Sequence, residues 1–300
     1  MEKTTIVLLG FLLLAAPIAV QAQFTYTTNA DNTLTITGYS GPPWAVTIPT
    51  NINSRTVSTI GELAFYIYTN LTSVIIPDSV TTIENGAFIQ CTALTNVTIP
   101  NGVSYIGAGT FEECASLTNV MIPASVISID DAAFAFCANL NAITVDLQNP
   151  FYSSTNGVLF DKSESTLIQF PGKLGGNYTV PGSVTSIGVV AFAGSAVTSV
   201  TIPSSVTNMG PSVFELCNSL TNATIPKGVT NMEYEMFTYC PNLISVYFYG
   251  NAPTVVMDPY FGPTVFEGDT NATVCYLPGT TGWSNTLPVF RRCSWRHSVT

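Results

Sequence analysis

Charge is what this chain has least of. Only 9% of its 300 residues are Asp, Glu, Lys or Arg, and 8 basic residues stand against 18 acidic ones, a net charge of −10. That balance offers no Lys/Arg footprint for nucleic acid, where displaced counterions supply the affinity. It offers no polybasic stretch for an anionic membrane surface either. The sole histidine, His297, leaves the rest of the chain without the imidazole that a Ser/His/Asp or Cys/His relay needs. No cluster of Cys and His has zinc-ligand spacing. Gly172-Lys-Leu-Gly-Gly176 lacks the strand-to-helix setting of a phosphate loop. No cysteine precedes Cys91, which excludes a lipid-modified N-terminal cysteine. Neither a cofactor nor a metal is expected, and the protein is not expected to be an enzyme.

Long apolar runs are also missing after the first 22 residues. Those residues have the layout of a signal peptide: Lys3, the apolar stretch Ile6 to Ala19, then Val20-Gln21-Ala22 before Gln23. The stretch is short for a membrane span of about 20 residues. Removing it takes one acid and one base, so the net charge stays −10. The expected product is secreted or held at a cell surface, with no membrane insertion after signal removal.

What is present is a period. Leu71-Thr-Ser-Val74-Ile-Ile76-Pro77…Val80…Ile83…Ala87-Phe88…Cys91 is followed by Leu94…Val97-Thr-Ile99-Pro100…Val103…Ile106…Phe111…Cys114. Leu117…Val120-Met-Ile122-Pro123…Phe134…Cys137 is a third copy. Phenylalanines step by 23 through 65, 88, 111 and 134, and resume at 214 and 237. A fixed period of this length on an L-x-x-V-x-I core predicts a leucine-rich repeat solenoid. The expected form is a right-handed, β-rich horseshoe of ~23-residue coils with parallel strands, short helical or turn segments on the other side, and a cap at each end. Spacing of two turns Val74 and Ile76 inward and Ser73 and Ile75 outward. Cys91, Cys114, Cys137, Cys217 and Cys240 occupy one slot, three residues after a phenylalanine or its equivalent. Their side chains run parallel up the stack, so a ladder of buried free thiols is expected rather than disulfides. The state of Cys275 and Cys293 stays open.

Residues 23–44 alternate at period two and read as an N-terminal β cap over an otherwise open end. Repeats fill 45–249. They are interrupted at 146–177, where Asn149 to Phe160 and Thr166 to Pro171 flank the polar link Asp161-Lys-Ser-Glu-Ser as a hairpin-like insertion. Residues 250–300 leave the period and read as a C-terminal cap.

The repeat closely resembles the BspA-like leucine-rich repeats of bacterial and protist surface proteins, with their L-x-x-V-x-I-P-x-x-V-x-x-I-x-x-x-A-F-x-x-C consensus. The resemblance spans about 24–250, and Asn156 to Asp161 is similar to an insertion found in that family. It implies an exported protein that binds extracellular proteins or other cells, and it carries little about which ligand. Related chains end near T-T-G-W-x-x-T-F-x-G-x-P-T-V-L-W, whereas here Thr281-Gly-Trp-Ser-Asn-Thr286 leads into an unrelated tail. A one-nucleotide shift can restore that ending, so the tail from 287 is expected to be a frameshift product. No role is assigned to Arg291, Arg292, Cys293 or His297.

Two acidic pairs carry possible chemistry. Glu112-Glu113 and Asp130-Asp131 have the residue type of a glycosidase pair, and Asp130, Asp131 and a stacked Glu84 could offer oxygens to calcium. Adjacent acids at a loop edge are more often simply solvated. The exposed strand face is the stronger candidate. Its outward positions are small and uncharged, with a few apolar points, and solenoids commonly bind through such faces. The expected ligand-binding residues are Ile75, Asn96, Thr98, Asn119, Met121, Thr201, Thr224, Tyr247 and Tyr249. The expected partner is an extracellular protein or glycan. An envelope or matrix component without a specific ligand, or a carbohydrate-binding module, is the alternative.

Overall fold

The computed structural model describes residues 23–257, 262 and 264–283, together with the backbone of 291–294. The signal segment and most of the tail lie outside these residues, as do the frameshift reading and the side chain of Cys293. About ten coils of ~23 residues stack into a β-solenoid. In each coil the L-x-x-V-x-I segment forms one short strand and the V-x-x-I segment a second, so two parallel ladders run up the stack.

In the first ladder Val46, Val74 and Val97 lie in register, which superimposes like on like along the core. Between the two strands the proline of each repeat closes a turn. Its carbonyl accepts the N–H of the valine three residues on, as from Val80 to Pro77 and Val103 to Pro100, while its missing N–H stops the strand.

The third side was expected to be helical or turned, and among the described residues it is turns with no helix. Backbone geometry gives the reason. Residues two before and two after each phenylalanine are left-handed, as at Leu63 and Ile67 around Phe65 or Ala132 and Phe136 around Phe134. A left-handed residue breaks a right-handed helix within one turn. The freed N–H groups go to the next coil instead: Phe65 N donates to Ala87 O, Phe88 N to Thr110 O and Phe111 N to Ala133 O. The turns thereby form a third ladder.

Phenyl rings stack inside it. Phe65 and Phe88 have centroids 5.0 Å apart, Phe88 and Phe111 5.4 Å, and Phe111 and Phe134 5.6 Å. The stack restarts at Phe170 and runs through Phe192, Phe214 and Phe237 to Phe266. Tyr39 covers the N-terminal end, 6.1 Å from Phe65. It comes from Leu34–Tyr39, which pairs antiparallel with Phe24–Thr28 and parallel with Arg55–Ile60 and so extends the second ladder, while Ala45–Thr47 is the edge strand of the first.

The interruption falls between Phe134 and Phe170. Residues Tyr152–Thr155, Val158–Asp161 and Thr166–Gln169 form a three-stranded antiparallel meander, whose last strand joins the second ladder beside Ser186–Ile187. Asn149 sets its departure. Fully buried, its Nδ2 donates to Pro123 O and Val126 O, while its Oδ1 accepts from the N–H groups of Phe151 and Tyr152. Asp161 closes the polar link by accepting from Thr166 N and the hydroxyls of Ser163 and Ser165. The core divides at this point into two apolar clusters, bridged on the turn side by Ala135, Val190 and Ala193.

Candidate functional site

The meander also divides the strand face. Ala45–Thr47, Ser73–Ile75 and Asn96–Val97 form one sheet, and Asn119–Ile122 pairs with Ala142–Val145. A separate sheet begins at Gly176–Thr179 and continues through Val197–Thr201, Asn222–Ile225, Ser245–Phe248 and Thr273–Tyr276. Gly157, at the meander's first turn, accepts the N–H of Ile143 at its carbonyl and lies so near Ala142 that a Cβ there would stand 2.9 Å from the alanine's own. Its left-handed φ and this contact both call for glycine.

The predicted binding residues therefore fall into two groups. Ile75, Asn96, Thr98, Asn119 and Met121 are all exposed on the N-terminal block, with Ile75 at 62% and Met121 at 56%. In the C-terminal block Thr201 is exposed, but Thr224, Tyr247 and Tyr249 are half-buried and Ser245 is buried. Tyr247 and Tyr249 were expected as exposed anchors; they are not, because the strand Thr273–Tyr276 and the segment after it pack beside them. Polar side chains here are also engaged. Asn177 Oδ1 accepts from the hydroxyls of Thr198 and Ser199, and Thr224 Oγ1 accepts from Ile202 N at 2.9 Å.

Thr201, Thr224 and Tyr249 nevertheless meet in one cleft of ≈ 370 Å³, at the carboxyl ends of three face strands. Ile202, Ser204, Pro226, Lys227 and Leu277 complete its walls. Sequence reasoning missed these five. Lys227 was findable as a rare base within the repeats, whereas Leu277 follows them and no period places it.

The acidic pairs take other roles. Among the described residues no three Cys, His, Asp or Glu side chains are grouped to hold a metal ion. Asp130 accepts from the hydroxyl of Tyr105, and Glu84 from Glu62 N, so two of the three candidate calcium ligands are engaged in separate contacts. Glu112, Glu113 and Phe136 line a cleft of ≈ 550 Å³ together with Val190 and Glu215 from across the interruption. Burial, then Glu113 and Glu215, push the Glu112 carboxyl up to about 7. Burial and Glu235 raise Glu215 as well. Glu113 accepts from Gln90 Nε2.

The five cysteines at the repeat slot are buried free thiols, as their spacing predicts. Cys275, in the C-terminal cap, is disulfide-bonded. No described helix is long and apolar enough to cross a membrane.

Comparisons agree with this architecture. Among solved structures, a leucine-rich repeat protein from Eubacterium ventriosum superimposes with a TM-score of 0.64 at 25% identity, covering 86% of this chain and 77% of that one. A leucine rich cell surface protein from Faecalibacterium prausnitzii gives 0.54 at 23% identity, over 92% and 94% of the two chains. The pneumococcal vaccine antigen PcpA gives 0.62 at 17% identity, over 92% and 84%. No curated protein matches. The profile of the BspA type leucine rich repeat region matches in six copies over residues 58–176 and 170–268. With that profile spanning most of its length and the stacked coils to match, the chain belongs to the BspA-type leucine-rich repeat family.

Proposed function

We propose that this protein is a non-enzymatic binder that works outside the cell, recognising an extracellular protein or glycan through its strand face in adhesion. The observation that carries the reading is the pair of exposed apolar side chains, Ile75 and Met121, on a face that is otherwise small and uncharged. Exposed apolar points on a rigid surface are where binding energy concentrates. Parallel strands hold that surface without needing to fold on binding. The F. prausnitzii relative, described as a cell surface protein, supports the same location for this chain. A net charge of −10 with few bases favours partners recognised by shape and uncharged contacts.

The test is a binding screen of the signal-free protein against immobilised matrix proteins and a glycan array, repeated with Ile75→Ser/Met121→Ser. Both positions are exposed, so the double variant keeps its fold to within about 0.5 kcal/mol per site. A specific interaction lost in the double variant supports the face. An interaction that survives it moves the site elsewhere.

A further inference from the structure

Among the described residues, the cleft between Tyr249 and Lys227 combines an apolar wall with a cation. We propose that it is a subsite for an acidic sugar, whose carboxylate meets Lys227 while its ring lies against Tyr249 and Leu277. This deepens the reading of the protein as an extracellular binder and rests on it.

Four features lead there. First, Lys227 has no hydrogen bond or ion pair among the described residues, although the chain carries a large acidic excess. The other described bases include Arg55, bonded to Thr28, and Lys162, bonded to Leu147 O. Second, its backbone is held beside the cleft while its side chain is exposed. A Cβ on Gly250 would stand 2.9 Å from the Cα of Lys227 and 3.2 Å from its Cβ, so the glycine lets the next coil press directly against the lysine's backbone. With the backbone fixed, only the side chain has to be ordered when an anion is captured.

Third, the remaining walls suit a sugar. Ile202, Pro226, Leu277 and the Tyr249 ring supply apolar area, while Thr201, Ser204 and Thr224 supply hydroxyls. Thr224 Oγ1 already accepts from Ile202 N, which leaves its O–H to donate into the cleft. At ≈ 370 Å³ the space is of the size that holds small ligands, roughly 300–1,000 Å³. One ammonium balances the single charge of a carboxylate monoanion.

Fourth, an acidic peptide lacks a foothold. Val197–Thr201, Asn222–Ile225 and Ser245–Phe248 are each paired on both sides, so no strand edge is free here for peptide backbone to extend.

The experiment titrates the signal-free protein with four probes by calorimetry: a hyaluronan hexasaccharide and sialyllactose, which carry carboxylates, and the neutral chitohexaose and lactose. Wild type is compared with Lys227→Met, Lys227→Glu and Ile75→Ser/Met121→Ser, with thermal midpoints confirming the fold. At least one acidic probe is expected to bind about tenfold or more tightly than its neutral counterpart. Lys227→Met should remove that preference, Lys227→Glu should abolish acidic binding, and added salt should weaken it. Which acidic probe binds tells a uronic from a sialic acid. Equal binding of acidic and neutral probes, no loss in Lys227→Met, or no acidic binding at millimolar concentration overturns the proposal. The face variant separates the two readings. Matrix binding lost there, with no sugar binding in wild type, sinks the cleft alone. Lys227-dependent sugar binding with no partner sensitive to Ile75 and Met121 sinks the face alone.

Discussion

The thiol of Cys114 donates a hydrogen bond to the carbonyl oxygen of Phe88, 3.2 Å away in the preceding coil. Cys91 makes the same bond to Phe65, Cys137 to Phe111, Cys217 to Phe192 and Cys240 to Phe214. Each thiol thus satisfies a buried carbonyl that the turn ladder leaves with a free lone pair. Cysteine suits the slot because it is small, apolar in bulk and still a weak donor.

Those thiols should be silent in the folded protein. Burial pushes Cys91 and Cys137 up to about 12 and raises Cys114 further, so little thiolate forms at these three near neutrality, and burial closes all five off from reagent. Alkylation of the native protein should leave all five untouched, and denaturation without reductant should release five. Two or fewer on denaturation would contradict the ladder. Cys114→Ala should lower stability by about 1–2 kcal/mol in denaturant titration, by removing a buried donor and leaving a small void.

Phenylalanine positions should differ by stack context. Phe111 is sandwiched between Phe88 and Phe134, whereas Phe134 has its ring partner on the Phe111 side, where the interruption begins. Phe111→Ala is expected to cost about 3–5 kcal/mol. Phe134→Ala should cost about 1 kcal/mol less, the worth of one aromatic pair. Equal midpoint shifts would show that stacking adds nothing beyond burial.

Asn149→Ala should loosen the meander. The change removes four hydrogen bonds, two of them to buried carbonyls, a loss of about 3 kcal/mol or more. Hydrogen exchange should quicken first in Tyr152–Thr155 and Val158–Asp161. Uniform acceleration over all coils would instead mean that the asparagine governs the whole stack.

Stability should fall as pH rises from about 4.5 to 7. Glu112 holds its proton more tightly folded than unfolded, its ordinary value being 4.5 against about 7 in the cleft. The folded state therefore binds the extra proton in that window, and raising the pH works against folding. Asp269 behaves likewise: burial lifts it to about 7, and its Oδ2 has no hydrogen-bond partner. Glu112→Gln should flatten the part of the pH profile due to Glu112, on the order of 1 kcal/mol given that the side chain stays partly solvated. An unchanged slope in Glu112→Gln would place the effect at Asp269 and Glu215.

Periodicity made the columns legible before any coordinates. A step of 23 puts Val97 over Val74 and Cys114 over Cys91, because in a solenoid the spatial neighbour is the residue one period away. Alternation likewise separates Ile75, outward, from Val74, inward. The third side was less readable. Left-handed turns at Leu63, Gln90, Glu113 and Ala132 use residues with no special liking for that conformation, so composition carries no trace of them. They persist because the N–H groups they free are bonded by the next coil.

Repeat identity, the buried thiols, the inward and outward columns and the likeness to the BspA type all follow from one dimension of order, since each coil meets only its neighbours. The division of the strand face, the burial of Tyr247 and Tyr249, the opposition of Glu112 and Glu215 and the joining of Lys227 to Leu277 do not. Each depends on how a non-repeating segment, the meander or the C-terminal cap, lies against the stack. Those contacts join residues with no shared period, so packing in three dimensions is what sets them.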